Sequence, residues 1–369
     1  MSLRWLFILL PILYVAGNVY ISIRGWQALP HLSIGVKVAL SLFYWICVLS
    51  FFGAFLFRGL DMPATLAQII SRIGTGWLVF TLYMVLALLL FEALRVLNIP
   101  IRHSFLISFA LVVCVLGYGY YRYQHPDTKV INMVINKDID TGDTRPFRVV
   151  AISDVHLGYG TGKRMLARYV DRINAERPDL VLIGGDLIDN DATPLFQTRM
   201  EEELSRVNAP MGIYMVPGNH EYISGIEACE RFIARTPITL LRDSAVVLPN
   251  GIQIVGRDDR SDKRRQSVRQ LTETLDKSRP ILLLDHQPYD LALTAQAGVD
   301  LQFSGHTHRG QVWPLSWLVD RMFELSYGMK RVGDCVIYVS SGLSLWGPPF
   351  RIGTNSEMVV FNLTFNNGK

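Results

Sequence analysis

Apolar and polar positions divide this chain into two regimes. Before residue 122, four long stretches carry no charge: Trp5 to Ile23, Val38 to Phe57, Ile73 to Phe91, and Ser104 to Tyr121. Each approaches the ~17–25 residues that cross a bilayer as a helix, so four transmembrane helices are expected. Pro11 inside the first stretch is compatible with a membrane helix, where neighbouring groups satisfy the freed carbonyl. Trp5, Trp26, Tyr118, Tyr120 and Tyr121 fall near span ends, as interfacial aromatics do. A cleaved signal peptide behind Arg4 is the competing reading of the first stretch. Its long apolar core and the three spans that follow favour an anchor.

After His125-Pro126-Asp127 the apolar runs shorten and alternate with helical periodicity. Lys129 to Ile135 reads as an edge strand and Asp138 to Pro146 as a turn-rich loop. Strands are expected over Arg148–Ser153, Leu180–Gly184, Gly212–Val216, Gln253–Val255, Ile281–Leu284, Leu301–Phe303, Cys335–Ser340 and Glu357–Phe365. Helices are expected over Arg164–Ala175, Glu201–Val207, Ile226–Arg235 and Val268–Asp276. The pattern predicts an α/β domain, a layered β-sandwich flanked by helices, behind a four-helix transmembrane region. The expected division is an anchor over 1–124, a linker and edge strand over 125–146, and a catalytic domain over 147–369.

Charge sharpens this division. Residues 1–124 hold eight Lys/Arg against two Asp/Glu, leaving 28 against 30 for the rest, so the anchor carries +6 and the remainder −2. The soluble part lacks the basic footprint of a nucleic-acid binder, and no nucleic-acid partner is expected. Arg4, Arg58, Arg72, Arg122 and Lys129 flank one membrane side, and Arg24, Lys37, Arg95 and Arg102 the other. That small excess tilts the catalytic domain toward the cytoplasm. Glu92 and Arg95, three apart, are expected to pair on one helical face. The run from Arg257 to Arg269, charged in both signs, reads as a solvated loop and helix face. The four cysteines match no metal spacing or disulfide framework.

Candidate chemistry sits at the ends of the apolar strands. Five of the eight histidines fall in a series of short clusters: Asp154-Val155-His156, Gly185-Asp186-Leu187-Ile188-Asp189, Gly218-Asn219-His220-Glu221, His286, and Gly305-His306-Thr307-His308. Carboxylate, amide oxygen and imidazole suit manganese, iron or zinc rather than a thiolate-seeking ion. In open α/β sheets such groups collect at the carboxyl ends of strands, where loops converge. Gly185, Gly218 and Gly305 fit tight turns that let the backbone approach closely.

In this order the clusters resemble the calcineurin-like metallophosphoesterase superfamily, over roughly residues 147–369. The resemblance implies two divalent ions (Mn, Zn or Fe). Asp154, His156, Asp186 and His308 would hold one, and Asp186, Asn219, His286 and His306 the other. It places His220 against the substrate phosphate, as a charge-assisted donor or as the acid that protonates the leaving oxygen. Asp186 and His220 are thus the catalytic pair, and Asn219 and His220 face the substrate, with Asp189 supporting the site. Arg309, where many relatives have glycine, is read as a further substrate-binding residue, with an exposed or structural arginine as the alternative. The implied reaction is hydrolysis of a phosphoester or pyrophosphate bond by a hydroxide bridging the ions.

The apolar stretch from Val312 to Val319 follows the last cluster directly and is read as a loop that covers the core or receives a lipid tail. Ser341-Gly342-Leu343 and Trp346 to Arg351 resemble a closing segment of membrane-associated bacterial members. Some of those act on lipid-linked phosphates, including a nucleotide-linked diacylglucosamine used in lipid A synthesis. The expectation is therefore a multi-pass protein of bacterial inner-membrane type acting on a lipid-linked phosphate. A phosphodiesterase for a soluble nucleotide and a non-catalytic membrane sensor or scaffold are the alternatives.

Overall fold

A computed structural model describes residues 3–56, 64–140 and 145–366. Arg58 lies outside the described residues, as do the side chains of Arg4 and Trp5 and part of the loop expected over 138–146. The chain forms two compact units. One comprises residues 1–121 with 347–352, the other residues 122–346 with 353–369.

The first unit is helical: α1 (Leu3–Ala28), α2 (Ile34–Leu56), α3 (Ala64–Val96) and α4 (Ser104–Gln124), the last running on into the second unit. Among the described residues, three helices are long and apolar enough to cross a membrane, over Ile34–Gly53, Gln68–Val96 and Ser104–Gln124. Among the described residues the expected four are thus three, and the first expected span, Trp5 to Ile23, falls partly outside them. Asn18 is fully buried and acts as a polar hub. Its Oδ1 accepts from the hydroxyls of Tyr44 (2.7 Å, α2) and Thr81 (3.1 Å, α3). Arg24 takes Glu92 at 2.7 Å, while the expected partner Arg95 is 3.9 Å away. Glu92 therefore joins α1 to α3 instead of bracing its own helix. Residues 347–352 belong here, and the Arg351 amide donates to the Gly119 carbonyl at 3.0 Å.

The second unit is a sandwich of two six-stranded sheets. Sheet one runs in the order β1 (Asp127–Ile135), β12 (Glu357–Phe365), β2 (Phe147–Ile152), β3 (Leu180–Ile183), β4 (Ile213–Met215), β5 (Ile238–Leu240). Sheet two runs β10 (Gly328–Val332), β11 (Cys335–Val339), β9 (Leu301–Ser304), β8 (Ile281–Leu284), β7 (Gln253–Gly256), β6 (Ser244–Val247). Strands β2 to β5 are mutually parallel, as are β7, β8, β9 and β11. Val149, Ala151, Leu180 and Leu182 of sheet one pack on Ile254, Leu282, Leu284 and Phe303 of sheet two to form the inner core. Because both faces of each sheet are covered, the central strands read as unbroken apolar runs.

Helices seal the outer faces. α5 (Lys163–Ala175) and α9 (Ile226–Ile233) cover sheet one, with α6 (Thr193–Gln197), α7 (Glu201–Leu204) and α8 (Asn219–Ile223) in the connections. α10 (Val268–Thr272) and α11 (Leu291–Gln296) cover sheet two. α5 buries Met165, Leu166, Tyr169, Val170 and Ile173, the spacing of one helical face. The stretch expected as an apolar loop over 312–319 instead enters a helix, α12 (Leu315–Met322).

Near the edge of the sandwich, a Cβ added at Gly256 would lie 2.2 Å from Leu241 Cβ and 3.0 Å from Val216 Cγ1. Overpacking of this kind costs about 1–3 kcal/mol. Gly256→Ala is expected to lower the melting temperature of the purified chain by about 5 °C, read by differential scanning calorimetry. An unchanged midpoint would show that this contact relaxes freely.

Candidate metal centre

The parallel strands aim their carboxyl ends at one place. Asp154 and His156 follow β2, Asp186 follows β3, Asn219 and His220 follow β4, His286 follows β8, and His306 and His308 follow β9. Residues spread over more than 150 positions are thereby brought within hydrogen-bonding range. His156 Nε2 and His308 Nε2 are 3.1 Å apart, and His308 Nε2 lies 3.3 Å from Asp154 Oδ1. Asp186 Oδ2 lies 3.1 Å from His286 Nε2 and 3.9 Å from His156 Nε2. His306 Nδ1 meets Asn219 Oδ1 at 2.8 Å.

Two neighbouring cages result. Asp154, His156 and His308 present ligand atoms within 4.8 Å of one another, as do Asp186, His286 and His306. Asp186 also groups with His156, so it stands between the cages.

The donor chemistry fits a pair of divalent cations. Asp154 and Asp186 are both buried carboxylates, and His156, His286 and His308 are buried imidazoles around them. Stripped of water, such charges are costly unless compensated. Two Nε2 atoms facing each other at 3.1 Å need a proton or a cation between them. His286 Nε2 and His156 Nδ1 are buried without a hydrogen bond. His286 Nδ1 faces the Gly184 carbonyl at 2.7 Å, which fixes the tautomer and leaves the Nε2 lone pair directed at Asp186.

The backbone is bent to deliver these atoms. Asp154 (φ 53°), His156 (48°), Asp186 (52°), His306 (73°) and His308 (47°) all occupy the left-handed region. Non-glycine residues there cost of order 1–3 kcal/mol each, which surrounding structure must over-determine. Much of that restraint comes from Glu221. Its fully buried carboxylate accepts from the amides of Asp186 (3.0 Å), Ile188 (2.9 Å) and Gly218 (2.6 Å), tying the loop after β3 to the loop after β4. Gly218 approaches so closely that a Cβ would sit 2.2 Å from Asp186 Oδ1, and Gly185 combines φ 91° with a Cβ position 2.6 Å from His286 Nδ1. Only glycine fits at either position.

His220 stands beside the cages. Its amide donates to Asp186 Oδ1 at 2.8 Å, and its Nδ1 lies 3.2 Å from Asp189 Oδ1. The same Asp189 oxygen is 3.5 Å from His156 Nδ1. Burial opposes the His220 cation, but Asp189, Asp186 and Glu221 outweigh it and raise its pKa. Burial likewise opposes the Asp189 anion, yet the two imidazoles bring its pKa to about 2. Arg309 is not drawn among the ligands. Its guanidinium packs over the Tyr327 ring at 4.7 Å, and the Tyr327 hydroxyl donates to buried Glu357 at 2.9 Å.

Several contributors escape sequence reasoning. Glu221 sits inside a recognised cluster, but nothing in its spacing marks it as a clamp. The Arg257–Arg269 run is not solvated throughout: Asp258 and Asp259 are buried, and Arg257 and Arg265 both reach Asp285, at 3.0 and 3.2 Å. Gln287, next to His286, donates to Asp259 Oδ2 at 2.8 Å. Paired and solvated charges alternate alike in sequence, so no signal separates them.

Two neighbouring groups of candidate ligands at the carboxyl edges of a double sheet suit a dinuclear metal site. Residues 147–310 match the calcineurin-like phosphoesterase family. An uncharacterised metallophosphoesterase of Helicobacter pylori is 34% identical over 225 residues, covering 59% of this chain and 60% of that protein. The transmembrane protein with metallophosphoesterase domain of Danio rerio is 31% identical, covering 67% of this chain and 60% of that one. The uncharacterised metallophosphoesterase YkuE of Bacillus subtilis is 30% identical, covering 68% of this chain and 91% of that one. The chain belongs to the calcineurin-like metallophosphoesterase family. Its matches span about 60% of the length of the Helicobacter relatives.

Asp186→Asn and His220→Ala are both expected to abolish hydrolysis of a chromogenic phosphodiester, while metal analysis shows loss of ions from the first variant alone. Activity equal to the parent in both would dismiss these roles. Glu221→Ala, which frees three loop amides, is expected to weaken metal affinity about 10–100-fold by chelator competition. Unaltered affinity would mean that the clamp is dispensable.

Proposed function

We propose that this chain is a membrane-associated, metal-dependent phosphohydrolase that cleaves a phosphoester or pyrophosphate bond in a lipid-linked substrate. The observation that carries the chemistry is the convergence of Asp154, His156, Asp186, Asn219, His286, His306 and His308 from separate strand ends. Asp154, His156, Asp186 and His308 would hold one ion, and Asp186, Asn219, His286 and His306 the second. When bound, the ions supply Lewis acidity and bring the pKa of water toward neutrality.

The rest falls to the chain itself. Asp186, placed between the cages, offsets the repulsion of two nearby dications. Asp189 orients His220 through Nδ1, which leaves Nε2 to hand a proton to the leaving oxygen. The carboxylates around His220 favour the protonated form that this step requires. Asn219 and Arg309 contribute polarity and charge for the phosphate.

The lipid reading draws on two features. Among the described residues three helices are long and apolar enough to span a bilayer, and relatives in Danio rerio and Bos taurus are named as transmembrane proteins. Directly after the last ligand cluster, α12 and its approach leave Trp313, Leu315, Trp317, Leu318 and Met322 exposed by 41–62%. A run of exposed large apolar side chains beside a catalytic centre suits an acyl chain or the bilayer interface.

Turnover by the full chain in detergent is expected to be at least tenfold faster on a lipid-linked phosphate or pyrophosphate than on a soluble nucleotide diester. Equal or faster turnover of the nucleotide would replace the lipid reading with the soluble one. Metal uptake without turnover of either would point to a scaffold.

A further inference from the structure

We propose that Trp346 is a stacking platform on the leaving-group side of the centre, taking a flat aromatic ring such as a nucleobase carried on the leaving phosphate or alcohol. The inference rests on the reading of His220 as the group that faces the leaving oxygen. The Trp346 ring lies 6.1 Å from the His220 ring, tilted by 44°. Whatever is attached to the oxygen that His220 protonates must therefore depart beside this indole.

The ring is both presented and held. Trp346 is 48% exposed, whereas Leu343, Ser344 and Leu345 before it are buried. The Leu343 amide donates to the Ser153 carbonyl at 2.9 Å and the Ser344 amide to the Asp154 carbonyl at 3.1 Å. Ser344 Oγ meets Thr161 Oγ1 at 2.8 Å, and the Trp346 carbonyl accepts from Gln311 Nε2 at 3.2 Å. The segment bearing the indole is thus bonded to the same loop that presents Asp154. A large aromatic fixed in solvent beside a catalytic group loses little entropy when it binds.

The neighbours select the ligand class. The indole has the His220 imidazole 6.1 Å away, and the backbone that carries it is tied to the Gln311 carboxamide. A π-bearing ring gains from a Trp face by stacking whatever its identity. A saturated chain gains nothing specific from that face and has the exposed side chains of α12 as its own surface. Trp346 and α12 would then read two different parts of one substrate: a ring on the departing side and a lipid elsewhere.

The test uses the purified, metal-loaded full chain with phenylphosphonate, methylphosphonate and decylphosphonate as non-hydrolysable probes, measured by calorimetry. In the parent, phenylphosphonate is expected to bind about tenfold more tightly than methylphosphonate. Trp346→Ala and Trp346→Leu should bring that ratio close to one, and Trp346→Phe should keep most of it, with metal content unchanged throughout. For an aryl phosphodiester, the KM of Trp346→Ala should rise about tenfold and its kcat far less. A phenyl-to-methyl ratio that Trp346→Leu preserves would overturn the stacking proposal, as would a parent ratio near one. Decylphosphonate losing more affinity than phenylphosphonate in Trp346→Ala would make the subsite one for a lipid tail, and would also overturn it. A parent ratio near one in a chain that hydrolyses phosphoesters sinks the subsite alone. A retained ratio in a chain that takes up metal without hydrolysis sinks the hydrolase reading alone.

Discussion

Asp186 is a carboxylate almost wholly removed from water, and the candidate metal centre is arranged around keeping it ionised. Burial works against its charge, but His286, His156 and His220 outweigh that penalty and hold its pKa well below the ordinary range. One oxygen faces His286 and His156, and the other receives the His220 amide. Its own amide is held by Glu221, which reaches across from the neighbouring loop. Burial and Asp186 together raise the Glu221 pKa to about 7, the mark of two negative groups forced into proximity. Such an array calls for compensating positive charge, which the imidazoles can carry as protons or hand over to bound divalent ions.

The left-handed backbone at five candidate ligands follows from the same requirement. A strand end continuing in extended geometry would carry its side chain past the centre. The reversal at Asp154, Asp186 and His306 turns it inward. Those conformations persist because the loops are bonded to one another: Asp154 N to Gly185 O at 3.0 Å, and His156 N to Asp186 O at 3.0 Å. The strain is shared across a network that no single loop could sustain.

Much of this arrangement was legible in the sequence. Val149–Ile152, Leu180–Ile183 and Ile281–Leu284 are apolar enough to be central strands, and each is followed at once by a metal-seeking cluster. That adjacency puts Asp154, Asp186 and His286 at the carboxyl ends of their strands. Short strands at sheet edges are harder to read: Ser244–Val247 and Gly328–Val332 alternate in exposure and lack a long apolar run. α12 was hidden by Pro314 and by tryptophans that suggested an irregular loop. Tertiary burial of charge, as at Asp259 and Asp285, leaves no trace in composition. Trp346 was visible in a motif, but its nearness to His220 arises from long-range folding.

Residues 347–352 illustrate how the chain is interleaved. They lie far along the sequence yet pack with the N-terminal helices, where Arg351 is fully enclosed and Ile352 abuts Gly119. Excising the first 121 residues to obtain a tractable enzyme would therefore strip this excursion of its shelter. It would set a guanidinium and an isoleucine loose five and six residues beyond Trp346. Truncation is a poor route to a faithful soluble fragment of this protein.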